Sequence, residues 1–386
     1  STTTALTSVC SQIFSEQLKG QHVAFASYDL TAAFDCLDAN ILDAKLKHYG
    51  LNITSRAWFK SFLSNRKQFV RVGDSHSPTI DIDFGSPQGS ILSPLLFIIY
   101  VADLELWLSE GCSSLYADDI AVTTSDVTPE DSVKRLETAS MEIFSFLASN
   151  LLIANATKTA FFVVRKIDHD HIQESEVITL LGAKLSRDMT WSTHVKDLLS
   201  SLRSSIGLIS RLSTYVPNRC LTPLIHGLLL SKVRYALPLF ADIRTNTNDA
   251  INGMMSDIQV EINRGLRIVL GVRISDRVSI AELLSRVGVP SVNQLAAEAT
   301  LMETWKLFNL NLPALSSFIW LDDYSTRTTR NTGKNILSTQ PPGGSAAGKF
   351  VRNATMLWNI TNEEIRCLKD YNEAKKAIRL FARNLH

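Results

Sequence analysis

The segment SLYADDIAV, residues 114–122, sets two aspartates side by side between apolar, strand-like arms. Leu115 and Tyr116 lead in; Ile120, Ala121 and Val122 lead out. Apolar arms call for burial, and adjacent carboxylates near a core repel each other unless a cation or proton intervenes. The pair is therefore either a solvated hairpin tip or a cation site. Side chains of a regular strand alternate between faces, so Asp118 and Asp119 share a direction only if the chain turns there. A tight hairpin around Ala117 and Asp118 would present both at its tip. One pair is too few for two divalent cations, so a third carboxylate has to come from a neighbouring strand. The candidate is Asp29, at the end of HVAFASYDL, because the next stretch turns helical. Two hard cations about 4 Å apart, held by such aspartates, would clamp the attacking and leaving oxygens of a phosphoryl transfer.

The elements that carry these groups follow from periodicity and stop signals. TTALTSVCSQIFSEQLKG predicts a helix ending at Gly20, and HVAFASYDL a strand. ANILDAKLKHYG and SRAWFKSFLSN predict short helices, whereas QFVRVGD and TIDIDFG alternate like strands. GSILSPLLFIIYVADLELWL starts at a Gly/Pro-rich turn and reads as a buried helix. PEDSVKRLETASMEIFSFLASN has helical spacing, with Val133, Leu136, Phe144 and Leu147 on one stripe. KTAFFVVRK and SEVITLLGAKLS read as strands, and from Trp191 to about Leu310 the pattern is nearly all helical. Residues 325–348 are rich in Ser, Thr, Gly and Pro and read as a linker or loop. The fold class is therefore α+β giving way to all-α near residue 190. The expected domains are 1–190, 191–320, a connecting stretch 321–349 and a C-terminal amphipathic helical segment 350–386.

The 386 residues, 45% hydrophobic and 20% charged, suit a folded chain of one large or a few ordinary domains. The net charge of +1 hides an asymmetry: residues 1–200 carry 16 Lys and Arg against 24 Asp and Glu, and residues 201–386 carry 23 against 14. An acidic half followed by a basic half fits a metal-using region followed by one that grips a polyanion. The five cysteines are scattered, never in a CxxC, which suggests a reducing compartment and gives no zinc signature. SPLLFIIYVADL is shorter than the roughly 20 residues of a membrane span. No signal peptide is visible, and the expectation is a nuclear and cytoplasmic protein that is not secreted and has no membrane partner. DHDH, Asp168–His171, lies between two expected strands and reads as a solvated loop. Trp191, Trp305 and Trp358 sit among apolar neighbours and read as core.

SYDLTAAFDCLD, GSPQGSILSPLLFIIYVADL, SLYADDIAV, LLIANATKTAFFVV and ITLLGAKLSRDMTW follow one another in order. Together they resemble the palm motifs A to E of reverse transcriptases. The AFD, PQGS…SPLLF and YADD wording resembles the non-LTR, LINE-type branch of retrotransposons, the jockey and chicken-repeat kind. LTPLIHGLLLSKVRYALPLF, YSTRTTR and FVRNATMLWNITNEEI resemble later stretches of the same polyproteins. The resemblance implies an antiparallel palm sheet with packed helices, followed by an all-α thumb and C-terminal region. It implies an RNA-directed DNA polymerase, a nucleotidyltransferase that uses an RNA template, a DNA primer and dNTPs. The implied cofactor is a pair of Mg²⁺ ions, with Mn²⁺ as the alternative.

Carried over by motif, Asp29 and Asp118 would be the main metal ligands, Asp119 would complete the triad, and the Leu30 carbonyl would add an oxygen. Phe34 would stand beneath the incoming sugar and collide with a 2′-OH, favouring dNTPs. Asp35 reads as a helix cap rather than a ligand. Gly85 opens the turn of the second motif, where Gln88 and Gly89 would lie by template and nucleotide; Ser86 stands where valine is commoner. Lys158 would neutralise or protonate departing pyrophosphate. Leu181 and Gly182 would form the hairpin that steadies the primer end. Among the basic helices, Arg203, Arg211, Arg264, Arg267 and Arg273 fit a thumb, with Arg264 and Arg267 the residues chosen for backbone phosphates. STTTALTSV resembles the segment just before motif A, so upstream fingers and an endonuclease region of the same polyprotein are expected, and the polymerase is expected to be incomplete without the fingers. A catalytically idle nucleic-acid-binding relic of a retroelement is the alternative from another class. A group II intron-like reverse transcriptase would fit the palm but not the FVRNATMLWNITNEEI ending.

Overall fold

The computed structural model describes residues 1–164, 175–243, 253–310 and 349–385. Two compact units divide the chain, Gly20–Leu180 on one side and Ser1–Lys19 with Leu181–His386 on the other. Helix α1 (Thr2–Leu18) thus belongs to the second unit. The first unit runs β1 (His22–Tyr28), β2 (Leu30–Thr31), α2 (Ala39–His48), α3 (Ile53–Leu63), β3 (Arg66–Gln68), β4 (Arg71–Val72), β5 (Ser75–His76), β6 (Ile80–Ile82), α4 (Ser93–Val101), β7 (Cys112–Tyr116), β8 (Asp119–Asp126), α5 (Pro129–Ser149), β9 (Ile153–Ala154), β10 (Ala160–Val164) and β11 (Val177–Leu180). Four strands form an antiparallel sheet in the order β10-β1-β8-β7.

β1 is buried along nearly its whole length, flanked by β10 and β8 and covered by α5. Its Ala24, Ala26 and Tyr28 join Ile120 and Val122 of β8 in a core with Leu96, Phe97 and Tyr100 of α4 and Leu136, Ile143 and Phe146 of α5. Each such fully buried Leu, Ile or Phe contributes about 1.5–3 kcal/mol. The alanines of β1 leave space for α5 to approach. Thr128 caps α5 by accepting from the Asp131 N–H (3.1 Å), and Pro129 occupies the first turn, where no amide donor is needed. The expected stripe of α5 needs one correction. Phe144 is about half exposed and Ile143 is buried in its place. Ile143 lies seven residues, nearly two whole turns, beyond Leu136, whereas Phe144 is rotated onward to the helix edge; there its ring meets Tyr28 edge-on at 5.8 Å. The reading of residues 89–108 as one buried helix is also corrected. α4 ends at Val101, continues as a 3-10 turn over Ala102–Leu106, and buries one face only, with Leu95 and Ile98 more than half exposed.

The second unit comprises α1, β12 (Ala183–Ser186), α6 (Ser192–Leu212), α7 (Asn218–Leu224), α8 (Ser231–Arg234), α9 (Leu237–Phe240), α10 (Met254–Leu270), α11 (Ile280–Val287), α12 (Val292–Asn309), α13 (Lys349–Ile360), α14 (Glu363–Arg366) and α15 (Tyr371–Arg383). A π-helical turn, Ile225–Leu230, joins α7 to α8. α6 and α10 pack through their apolar stripes, Leu202, Ile206 and Ile209 against Ile258, Ile262 and Leu266. α12 is buried almost all round, yet carries Glu298 and Glu303, both paired. Trp191, Trp305 and Trp358 are buried, as their apolar neighbours imply. The Trp305 ring N–H donates to the Leu368 carbonyl (2.9 Å), and Trp358 stacks on Phe308. Among the described residues the structure is thus α+β in the first unit and helical, save for β12, in the second. The compact units follow contacts rather than motifs, so that α1, residues 181–190 and the C-terminal helices all fall in the helical unit. DHDH and most of the expected linker lie outside the described residues. Among the described residues no helix is long and apolar enough to cross a membrane.

Candidate active site

The register of the sheet brings the three aspartates to one end. In the β7–β8 hairpin the last pair is Tyr116 with Asp119, leaving Ala117 and Asp118 as a two-residue turn with Ala117 at φ +54°. This is the hairpin that strand alternation required. β1 pairs with β8 up to Tyr28 opposite Ile120, and one further step sets Asp29 across from Asp119. The stretch around β9 then secures Asp29. The Asn155 N–H donates to the Asp29 carbonyl (2.7 Å), and the Asn155 amide reaches the Asp29 carboxylate (3.4 Å). Lys158 Nζ lies 3.3 and 3.2 Å from the two oxygens of the same carboxylate. β2 pairs with β9, Leu30 opposite Ala154, so Leu30 is buried beside this junction.

Asn155 also accepts from the Thr157 N–H and hydroxyl (3.1 and 2.7 Å), an Asx turn that aims Lys158 at Asp29. Sequence reasoning missed Asn155. The available signal was an Asn two residues before a Thr, just ahead of a lysine already singled out. With Lys158 about two-thirds exposed, its ion pair contributes at most about 1 kcal/mol. It is a positional contact more than a stabilising one.

Phe34 lies on a 3-10 turn, Ala33–Asp35, which Ala32 enters at φ +48°. Its half-buried ring packs on Phe97 with centroids 4.9 Å apart. The expectation that Asp35 caps a helix is corrected: Asp38 caps α2, accepting from the Asn40 and Ile41 N–H groups (2.8 and 2.9 Å). The 3-10 turn uses up the intervening residues, so the helix starts one turn later. Asp35 instead accepts from the Gln88 amide at 3.2 Å, tying the Gln88 turn to the Phe34 turn. Their backbones also bond, the Gly85 N–H to the Leu37 carbonyl (2.7 Å) and the Ser86 N–H to the Phe34 carbonyl (2.8 Å). Arg66, missed from the sequence, closes this turn by donating to the Phe84 and Gly85 carbonyls, both at 2.6 Å. Gly89, at φ +81°, stands in open space on the same turn.

Ser86 is buried and its hydroxyl has no hydrogen-bond partner. An unpaired buried hydroxyl costs about 1–3 kcal/mol. Ser86→Ala is therefore expected to stabilise the protein by about 1 kcal/mol, raising Tm by about 2–4 °C. A melting curve checks this, and a lowered Tm would mean the hydroxyl is satisfied in solution.

The donor chemistry of Asp29, Asp118 and Asp119 suits a hard divalent cation, since all three offer only carboxylate oxygens. Among the described residues no three His, Cys, Asp or Glu side chains are already drawn together as a ligand group; the cation paired with Asp29 is the Lys158 ammonium.

In the second unit, Leu181 and Gly182 form the turn that leads into β12, both at positive φ (+51° and +82°) as an I′ turn requires. The Leu181 carbonyl accepts from the Tyr235 hydroxyl. Arg264 shares the buried Glu261 with Arg203, at 3.1 and 2.8 Å. Arg267 donates to the Arg273 and Val278 carbonyls (3.2 and 3.1 Å). Both side chains chosen for phosphate contact therefore have partners within the unit.

Residues 3–185 match the family described as reverse transcriptase (RNA-dependent DNA polymerase). The chain is similar to the RNA-directed DNA polymerase from mobile element jockey of Drosophila funebris, 30% identical over 165 residues, covering 38% of this chain and 18% of that protein. It is also similar to the jockey polymerase of Drosophila melanogaster, 25% identical over 222 residues, covering 50% and 23%. A probable RNA-directed DNA polymerase from transposon X-element of Drosophila melanogaster is 25% identical over 197 residues, covering 46% and 21%. The matched stretch thus spans about a fifth of these relatives' length. Among solved structures, a telomerase from Candida tropicalis in complex with a telomeric RNA fragment matches with a TM-score of 0.39 and 13% identity, over 80% of this chain and 52% of that one. Reverse transcriptases as a family work with divalent metal ions. By the match over residues 3–185 and its similarity to the jockey polymerases, the segment 3–185 belongs to the reverse transcriptase family, in its non-LTR retrotransposon branch.

Proposed function

We propose that the chain is the palm and thumb of an RNA-directed DNA polymerase, copying an RNA template onto a DNA primer with dNTPs. The observation that carries this reading is the register that sets Asp29 across from Asp119, beside the Asp118 turn, within a stretch that matches the family. Asp29, Asp118 and Asp119 would hold two Mg²⁺ ions, or Mn²⁺ in their place, with the Leu30 carbonyl as a further oxygen. When bound, the ions supply charge stabilisation to the attacking and leaving oxygens. Lys158 would release Asp29 and hold or deliver a proton at the departing pyrophosphate. Gln88 and Gly89 would lie along the template and incoming base, and the Leu181–Gly182 turn would steady the primer end. Upstream fingers and an endonuclease region of the same polyprotein would complete the enzyme, which would act in nucleus and cytoplasm.

Phe34 would set sugar choice. Its packing on Phe97 fixes the ring, so a 2′-OH above it would meet a wall that cannot move aside. The reading is tested by primer extension on an RNA template with Mg²⁺ and either dNTPs or rNTPs, using the chain alone and the chain joined to fingers of a related element. Incorporation of dNTPs is expected, and Phe34→Val is expected to raise rNTP use relative to dNTP by about tenfold or more, the equivalent of about 1.4 kcal/mol of relieved clash. Duplex binding without incorporation in either form would leave an idle nucleic-acid binder. Unchanged sugar preference in an active variant would return Phe34 to the core.

A further inference from the structure

Leu181 is an unusual residue for its place. It is the first of two turn residues in the left-handed region, at φ +51° with Gly182 at +82°. Asn-Gly, Asp-Gly and Gly-Gly favour such a pair, whereas leucine has no side-chain group that does and pays a steric cost there. A residue of this kind stays in place where surrounding contacts over-determine the backbone. One such contact is the Tyr235 hydroxyl, which donates to the Leu181 carbonyl from 54 positions away in the chain. The same hydroxyl stands beside Gly182, 3.9 Å from where a Cβ would be.

The tyrosine reaches the turn from a fixed base within the same unit. It lies between α8 and α9, and Val233, Ala236 and Leu237 on either side of it are buried. Lys232 of α8 donates to the Ser201 and Ser205 hydroxyls of α6 (2.7 and 2.8 Å), which holds α8 to that helix. The Tyr235 ring tilts against His194 of α6 with centroids 6.3 Å apart, and His194 Nδ1 accepts from the Lys184 N–H (3.4 Å), two residues past the turn. Separate bonds thus tie the start of β12 to α6 and the turn to the α8–α9 junction, and the Tyr235 bond falls on the turn itself. We infer that Tyr235 is a positioning residue for primer extension: by holding the Leu181 carbonyl it keeps the Leu181–Gly182 turn in the shape that steadies the primer end. This rests on the polymerase reading, and Tyr235 acts through the turn. A turn free to relax would let the primer's 3′ oxygen drift from the phosphorus it attacks, and a misplacement of about 1 Å costs about a hundredfold in rate.

The test is a double-mutant cycle in the full chain, in its extension-competent form. Tyr235→Phe removes the hydroxyl and leaves the ring on His194. Leu181→Asn supplies Asn-Gly, which makes this turn by its own preference and has no need of the hydroxyl. Each form is read by primer extension and by hydrogen exchange of the peptide spanning residues 180–186. With Leu181 in place, Tyr235→Phe is expected to lower kcat about tenfold, to leave the KM for dNTP within about twofold, and to speed exchange in that peptide. Added to Leu181→Asn, it is expected to change kcat and exchange by less than about twofold. Equal losses of kcat in the two backgrounds would make Tyr235 a general structural residue and overturn the inference. Exchange in residues 180–186 that ignores Tyr235→Phe would overturn it as well, whatever the activity of the Leu181→Asn form. Either result keeps the polymerase reading while the wild-type chain extends primers. A wild-type chain that extends none overturns that reading and the primer role of Tyr235 together.

Discussion

Asp118→Asn is expected to lower dNTP incorporation about a thousandfold or more while leaving the fold intact. Asn is nearly isosteric with Asp and is at home in a tight turn, so the two-residue hairpin tip between Tyr116 and Asp119 should persist. What is lost is one negative charge beside Asp119, and with it the electrostatic hold on a cation. Loss of about 4 kcal/mol of transition-state stabilisation corresponds to about three powers of ten in rate. Stability should move the other way or not at all, because removing one of two adjacent carboxylates removes repulsion. That opposite sign separates the catalytic reading from a structural one. The measurement is primer extension at several Mg²⁺ concentrations, paired with a melting curve, in an extension-competent form of the chain. Asp29→Asn should lose activity similarly but also weaken its ion pair with Lys158 to a neutral hydrogen bond, so its effect on the motif around Asn155 will be larger. Wild-type rates in the Asp118→Asn protein would end the two-metal assignment.

What the sequence made legible is what local rules force. Alternation along a strand cannot aim Asp118 and Asp119 together, so the turn at Ala117 had to exist, and it does. Asp29 was legible because β1 stops there, but its placement across from Asp119 depends on inter-strand register, a long-range property. The missed residues act through groups that leave no pattern. Arg66 bonds two backbone carbonyls, and any residue has those. Asn155 serves Asp29, which is 126 positions away in sequence. Asp35 read as the cap, but it ends a 3-10 turn, Ala33–Asp35, and Asp38 caps the helix instead; no propensity rule signals a turn that short. Phe144 was placed on the α5 stripe by an error of one residue in the helical repeat, enough to exchange it with Ile143. The arginines of α10 looked free because Glu261, which pairs with Arg203 and Arg264, is buried by packing that the linear sequence does not display.

Gly85→Ala is expected to be the most destabilising of the single changes considered, by about 3 kcal/mol or more. Gly85 sits at φ +82°, where an L side chain costs about 1–2 kcal/mol. Its added Cβ would come within 2.8 Å of the Asp35 Cα, 2.9 Å of the Asp35 carbonyl oxygen and 3.0 Å of the Phe34 carbonyl oxygen. Backbone cannot rotate aside as a side-chain tip can, so one turn must move from the other. The Gly85–Leu37 and Ser86–Phe34 backbone bonds and the Gln88–Asp35 contact all cross that gap and would lengthen together. Such overpacking adds about 1–3 kcal/mol to the dihedral strain. At about 2–4 °C per kcal/mol, Tm should fall by roughly 10 °C. Gly89→Ala is the matched control. Gly89 lies on the same turn at φ +81° but has nothing within 4 Å of its added Cβ, so only the dihedral cost of about 1–2 kcal/mol remains. The difference between the two melting points isolates the close approach of the turns. Because Phe34 rides on the displaced turn, Gly85→Ala should also blur the choice between dNTP and rNTP, which Gly89→Ala should not do through this route. Equal Tm losses in the two variants would mean that the turns have room to separate, and that the contact between Gly85 and Asp35 does not position Phe34.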